Sequence, residues 1–451
     1  MHRPFPLFGS LRRAVFPLAL VLLCGAAMAL AAAEWPQWRG PAFNGSSPET
    51  GLPETLDPKA NLRWKAALPG PSSSTPIISG DRVYVASLDG QKNLLLLCLN
   101  RKDGSTRWSQ TIGVGAATSG RNNMASPSPV TDGSRVFALY GTGDLAAFDK
   151  DGKSLWSRNL GKDYGKFAIM WIYGSSPVLY DGRLYVQVLQ RNPRPADYGH
   201  ALGDAPERES YLLCIDPATG KDLWRQVRQT DSTKESQESY TTPFPHEGKG
   251  RRELIVVGGD HVSGHDLKSG REFWRARLYS TRDDWYRIVA SPVAVGGLIF
   301  ASGPKGQPMA AFREGGNGTV TESHLAWANR EGHTDWSSPL VYRGRLFVVD
   351  GAKKTLGCFD PATGQRLWSG SLGVTDNVWS SPTGADGRIY LVSERGSLLV
   401  LGAGDEFKIL SRTELGEEPI RSSVAVAHGE AFVRSPSALY CFGKGAGKGK
   451  E

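Results

Sequence analysis

The chain is poor in the residues from which many catalytic and metal centres are built. Its 451 residues include 5 Cys, 8 His and 5 Met. Long apolar runs are confined to the first 33 residues, so no later segment is expected to cross a bilayer as a helix. Strong charge is lacking as well. The net charge of +8 falls to +5 without Arg3, Arg12 and Arg13, and to about +3 once Lys444, Lys448, Lys450 and Glu451 are set aside. That excess is too small for a nucleic-acid partner. What the chain has in quantity is 54 Gly, 28 Pro and 13 Trp, with 40% hydrophobic and 22% charged residues, which fits a turn-rich all-β fold.

The opening stretch has a basic n-region (Arg3, Arg12, Arg13), an apolar run and a small-residue site at Ala31-Ala32-Ala33. It reads as an export signal over 1–33, which places the mature protein in the periplasm or outside the cell. Arg12-Arg13 leaves Sec and twin-arginine export both open. Leu23 is bulkier than lipoprotein processing accepts before Cys24, so no lipid anchor is expected. Residues 34–60, dense in Pro and Gly, read as an irregular strap with Trp35 and Trp38 as anchors. The tail 444–451 reads as a disordered basic end.

Between strap and tail one phrase recurs. "CIDPATGKDLW" at 214–224 returns as "CFDPATGQRLW" at 358–368, with weaker echoes that end on Trp108, Trp156, Trp274 and Trp327. Upstream of each lies a Ser/Thr-Pro signal and a run such as "GRLYV". Each unit therefore reads as four strands, A to D, with the tryptophan on D. Repeats of this length are the mark of propeller blades. In Asp-Pro-Ala-Thr-Gly the Asp bonds forward to backbone N–H groups, Pro fixes φ and Gly takes positive φ, so a tight C-to-D turn is expected. A seventh unit carries Ile409 where a tryptophan is expected. "NLRWKAAL" (61–68), with Trp64, is a lone strand D, whereas 421–443 supplies A to C. Pairing them closes the ring, giving an eight-bladed β-propeller over 61–443.

The repeat reinterprets several candidate sites. Ser-Pro prolines belong on the inner edge strand, so their serines read as architecture and not as nucleophiles. Cys98, Cys214, Cys358 and Cys441 fall on one strand-C position of different blades, too far apart for disulfides, and read as buried free thiols. His261 and His265, placed on a hairpin, lack a third ligand, so no metal site is expected. Asp283-Asp284 reads as a solvated loop. Trp64, Trp108, Trp156, Trp224, Trp274, Trp327 and Trp368 are the structural, docking tryptophans.

Variation collects in the loops of one face. Aligning strands on their prolines puts Met124, Tyr240, Trp336, Trp379 and Arg421 at one level of the channel, with Trp171, Tyr173, Trp285, Tyr286 and Arg287 nearby. Aromatics beside guanidinium groups can stack a flat or anionic ligand, or simply plug the channel. The candidate ligand site is therefore Trp171, Tyr173, Tyr240, Trp285, Arg287, Trp336, Trp379 and Arg421, with no catalytic residue among them.

The Ser-Pro, Asp-x-x-Thr-Gly and Leu-Trp pattern resembles the tryptophan-docking repeat of pyrroloquinoline-quinone (PQQ) propellers over about 61–443. "WPQWRGPAFNGSSPETGLP" resembles the start of secreted bacterial PQQ-repeat proteins. Resemblance to the dehydrogenase branch would imply PQQ stacked on a tryptophan, Ca²⁺ held by carboxylate and amide ligands, an aspartate base and, in alcohol dehydrogenases, a disulfide of adjacent cysteines. This chain is short for those enzymes, and no two of its cysteines are adjacent. Resemblance to the other branch, typified by the scaffold protein of outer-membrane β-barrel assembly, implies a propeller without quinone that recruits partners through loops or edge strands. The expectation is an exported, monomeric, noncatalytic propeller that binds a protein, glycan or small molecule on its loop face. A PQQ- and Ca-dependent alcohol or sugar dehydrogenase is the alternative.

Overall fold

Alternating apolar residues in short runs, punctuated by Gly-containing turns, fold into eight antiparallel sheets. The structure, a computed structural model, describes residues 34–115, 120–192 and 208–444. The expected export signal, most of the 190–210 insertion and the tail beyond Lys444 lie outside them. Blade 1 consists of strands Ile77–Ser79, Arg82–Leu88, Asn93–Asn100 and Thr106–Val114, taken here as A to D from the axis outward. Blades 2 to 7 occupy 130–159, 178–227, 244–277, 293–329, 340–371 and 383–414. Blade 8 joins Ala425–Ala427, Glu430–Arg434 and Ala438–Phe442 to the N-terminal strand Leu62–Ala67. The fold is thus the expected eight-bladed propeller, and no described helix is long and apolar enough to cross a membrane.

Its core is a series of wedges between neighbouring blades. Leu96 and Tyr84 of blade 1, for example, pack with Val136 and Ala138 of blade 2. The tryptophans stitch these wedges from outside. Each indole Nε1 donates to a carbonyl in the C-to-D turn of the next blade: Trp64 to Arg101 (2.7 Å), Trp108 to Lys150 (3.1 Å), Trp156 to Pro217 (3.0 Å), Trp224 to Leu267 (3.1 Å), Trp327 to Pro361 (3.0 Å) and Trp368 to Gly404 (3.1 Å). In the turn itself Asp360 Oδ1 accepts from Ala362 N and Thr363 N, as the motif predicts. The turn glycine is doubly required. Gly220 has φ 72°, and a Cβ there would lie 2.6 Å from the Trp156 ring.

Two blades depart from this pattern for visible reasons. The long insertion in blade 5 removes the usual turn, and Trp274 instead donates to Glu253 Oε2 (2.8 Å) within its own sheet. Gly318–Thr319 of the insertion adds as a short parallel strand to the outer edge of blade 4. In blade 7 the strand register corrects the expectation for Ile409. Val400, the counterpart of the strand-C cysteines, pairs with Ser411, and Ile409 pairs one step away with Leu401. A tryptophan at 411 would have no turn to dock on, because the C and D strands of blade 8 are joined by no hairpin: they come from opposite ends of the chain.

That seam is held by other means. Lys65 pairs with Tyr440 in the strand register. Arg434, wholly buried, donates to the carbonyls of Gly70 (2.8 Å) and Ser72 (2.6 Å), tying strand B of blade 8 to the chain that follows its strand D. Burial lowers its pKa to about 9.

Residues 34–60 form a strap across the face opposite the linkers that join blades. Trp35 bridges to Ile78 of blade 1, Phe43 sits edge-on to Tyr180 and Phe244 of blades 3 and 4, and Gly45 and Ser47 bond to Gly384 of blade 7. Buried Arg39 donates to the carbonyls of Pro339 and Pro382, at the inner ends of blades 6 and 7. Trp38 reaches the channel from this side.

Candidate functional site at the channel mouth

The Ser/Thr residues before the inner strands form a closed belt. Backbone N–H groups donate to the hydroxyl of the next blade all the way round: Thr75 to Ser128, Ser128 to Ser176, Ser176 to Thr242, Thr242 to Ser291, Ser291 to Ser338, Ser338 to Ser381, Ser381 to Ser423 and Ser423 back to Thr75, at 2.8–3.1 Å. A small β-hydroxyl is the side chain that can satisfy a neighbour's amide at this crowded radius. This accounts for the repeated Ser-Pro without any nucleophile.

Two residues upstream of every belt position stands a second ring, and it is not repetitive. Its members are Ser73, Ser126, Gly174, Tyr240, Val289, Trp336, Trp379 and Arg421, all lining the channel. The small members occupy three consecutive linkers, and Arg121, Asn122 and Trp171 from the longer linkers lean over that side. The mouth is therefore lopsided, with a chamber of about 140 Å³ above and one of about 130 Å³ at the belt.

Its chemistry is aromatic and cationic. Trp336 and Trp379 stack at 4.0 Å between centroids with 23° between planes. The Arg121 guanidinium lies 4.7 Å from the Trp171 ring centre and 5.8 Å from that of Trp379, and Arg421 lies 5.5 Å from Trp379. Trp171 is oriented by its Nε1 bond to Glu235 (2.8 Å) and by its backbone N–H to Tyr240 Oη (3.0 Å). Tyr240 in turn donates to buried Glu238 (2.9 Å), and burial pushes its pKa well above the ordinary phenol value. Arg287 faces Glu235 at 3.6 Å, Arg421 holds Glu394 at 2.7 Å, and Arg191 holds Glu238 at 2.9 Å.

Of the residues singled out from sequence, Trp171, Tyr240, Arg287, Trp336, Trp379 and Arg421 meet around this chamber. Two do not. Tyr173 is buried between blades 2 and 3, its ring tilted against Phe167 at 4.7 Å and its hydroxyl donating to Gln187 O (2.8 Å). Trp285 stands 48% exposed on the loop, beneath the Lys234 ammonium. Met124 belongs to the wedge between blades 1 and 2, and Ser126 takes its expected level. Tyr286 packs edge-on against Tyr279. Arg121 and Asn122 were missed; the signal was the long linker after blade 1, whose polar tip has to fold back over small neighbours.

The remaining candidates resolve into structure. His261 and His265 lie on strand C of blade 4, the second arm of the expected hairpin, whose turn is Gly259–Asp260. His265 Nδ1 faces Gly270 O and its Nε2 faces Ser263 Oγ, and burial lowers its pKa to about 4. Asp284 pairs with Lys234 at 2.6 Å. Cys98, Cys214, Cys358 and Cys441 are buried free thiols on one register position. Among the described residues no cluster of three His, Cys, Asp or Glu could hold a metal ion.

A family model described as "Outer membrane protein assembly factor BamB" matches residues 55–192, 98–370 and 323–406. The chain belongs to this family of PQQ-like β-propellers. Among solved structures similar to it, BamB from Moraxella catarrhalis superposes with a TM-score of 0.59 at 12% identity, over 85% of this chain and 99% of that one. A europium-containing methanol dehydrogenase gives 0.66 at 12% identity over 92% of each chain. The quinohemoprotein alcohol dehydrogenase of Comamonas testosteroni gives 0.63 at 12% identity, over 93% of this chain and 82% of its own. These likenesses are of fold. In sequence, a polyvinylalcohol dehydrogenase from Pseudomonas sp is 24% identical over 194 residues, 43% of this chain but 28% of that protein. Proteins similar to this chain thus include an assembly factor and dehydrogenases.

Proposed function

We propose that this is an exported, noncatalytic family member that binds a ligand or a partner's side chain at the mouth of its channel. The observation that carries the reading is the convergence of Trp171, Trp336, Trp379, Arg121, Arg287 and Arg421 from six different linkers above a chemically inert hydroxyl belt. Such a surface stacks and pairs, and the carboxylates beside it among the described residues, Glu235, Glu238 and Glu394, are each held by an arginine. Export rests on the reading of residues 1–33.

The dehydrogenase alternative draws support from the Pseudomonas relative, and the donor set weighs against it. Ca²⁺ requires six to eight oxygen ligands, carboxylates prominent among them. Near the chamber Glu235, Glu238 and Glu394 each face an arginine at 2.7–3.6 Å, so none presents a free carboxylate. One face of Trp336 and one of Trp379 are already covered by each other. The residues present do not fit a PQQ–Ca²⁺ centre.

Two measurements test the reading. Dye-linked oxidation of alcohols and sugars by the protein with added PQQ and Ca²⁺ is expected to show no turnover, and saturable turnover would reverse the choice. A screen of small anionic, cationic and neutral ring compounds by tryptophan fluorescence is expected to find a saturable response that the Trp336→Ala/Trp379→Ala variant loses. No response from any class would remove the mouth as a binding site.

A further inference from the structure

Charge is unbalanced at the mouth of the channel, and the imbalance says what the ligand must bring. Each of the eight belt hydroxyls accepts a backbone N–H, and among the described residues none donates to a protein acceptor, so each keeps one proton to give and one lone pair to receive, and the belt itself favours neither kind of partner. The indole N–H groups of Trp336 and Trp379 also have no acceptor among the described residues. Above them the charges do not balance. Arg421 and Arg287 face Glu394 and Glu235, whereas Arg121, exposed on the rim, has only the faces of Trp171 and Trp379 and no carboxylate among the described residues. A cationic ligand would meet three guanidinium groups, and a neutral one would leave Arg121 without a counter-charge.

The walls fix the rest of the chemistry. Indole faces favour a flat ring, and an upper chamber of about 140 Å³ is near the roughly 150 Å³ that holds one benzene-sized group. Resting on the binding role proposed above, we infer that the mouth takes a single-ring aromatic carboxylate. Its ring lies against Trp171, Trp336 or Trp379, and its carboxylate meets Arg121, whose guanidinium has no carboxylate partner among the described residues. Two sources share that chemistry: a free aromatic acid, or the C-terminal aromatic residue of a polypeptide.

Calorimetric titration of the full chain with benzoate, benzamide and benzylamine separates charge from ring. Benzoate is expected to bind at least tenfold tighter than the other two, since a charge-assisted pair is worth more than a neutral one. Arg121→Ala, on the exposed rim, is expected to weaken benzoate at least tenfold with Tm unchanged. Equal binding of benzamide or benzylamine overturns the carboxylate assignment and leaves the binding role standing. Silence of all three overturns the assignment as well, and the fluorescence screen then decides the binding role separately. The source is read from N-acetylphenylalanine against a tetrapeptide ending in phenylalanine. Tighter binding of the tetrapeptide, lost on amidation, identifies a polypeptide terminus; equal or weaker binding identifies a free acid.

Discussion

Two rings of residues lie two positions apart in the same eight linkers, and they obey opposite rules. The belt from Thr75 to Ser423 has a small hydroxyl in every blade, because each must satisfy the same amide of its neighbour. The ring above it ranges from Gly174 to Trp379, and no one kind of side chain recurs all the way round. Where geometry is repeated, the residue is repeated; where the linkers end at open space, the residue is free to be chosen for a ligand. The comparison separates framework from site within a single turn of chain, and it can be broken at either level.

The largest effect is expected at the framework's outer edge. Trp224→Ala removes a large ring from between blades and one of the three donors to Leu267 O, at a cost of about 3–5 kcal/mol in urea unfolding. Ring-probe binding at the mouth should survive under folding conditions. At the seam, Ser411→Trp should give no matching gain, since blade 8 has no C-to-D turn to receive the indole. A stabilisation of more than about 1 kcal/mol there would refute this account of the missing tryptophan.

Next in size comes the belt. Ser176→Ala leaves the Ser128 amide without its acceptor in a buried setting and should destabilise by about 1–3 kcal/mol, with affinity for ring probes changed less than about twofold. The Trp336→Ala/Trp379→Ala variant should show the reverse, losing the probe response for a stability cost smaller than that of Trp224→Ala. If belt and mouth variants moved stability and binding together, the division between the two rings would fail.

How much of this could be read beforehand follows the same division. The blades were legible because Asp-Pro-Ala-Thr-Gly and the docking tryptophan act over a few residues of chain and recur, so one turn explains another. The register of blade 7 was not, because Ile409 is apolar like a docking residue and the bulge that shifts pairing to Ser411 leaves no mark in composition. In the mouth, counting back from the start of the inner strands located Tyr240, Trp336, Trp379 and Arg421, whatever the length of the linker. It failed for Met124 because "SPSP" at 126–129 offers two prolines and Ser128, before the second, is the belt residue, so Ser126 takes the level; Tyr173, expected nearby, is buried between blades, and Arg121 lies outside the reach of the count. Trp285 shows the complementary error, an aromatic on the correct loop that points to solvent.

The smallest expected effect concerns the seam, where side-chain chemistry replaces the tryptophan clasp. Glu417 accepts hydrogen bonds from Lys65 (2.9 Å), Ser437 (2.7 Å), Ser435 and Tyr440, linking the chain before blade 8 to both of its terminal strands. Burial alone would raise its pKa, but the bonds from Ser435, Tyr440, Lys65 and Ser437 outweigh it and hold the carboxyl at about 2. A folded pKa below the unfolded value means that the unfolded chain binds the proton first. The stabilisation is therefore complete above about pH 4.5 and is lost as pH falls towards 2. Because Lys65 is largely exposed and water screens the group, the contribution should be about 1 kcal/mol, well short of a docking tryptophan. Glu417→Gln should lower stability by that amount at neutral pH and flatten the loss of stability between pH 4.5 and 2. An unchanged acid profile would mean that the strand pairing from Leu62 to Ala67, together with Arg434, closes the ring without this carboxylate.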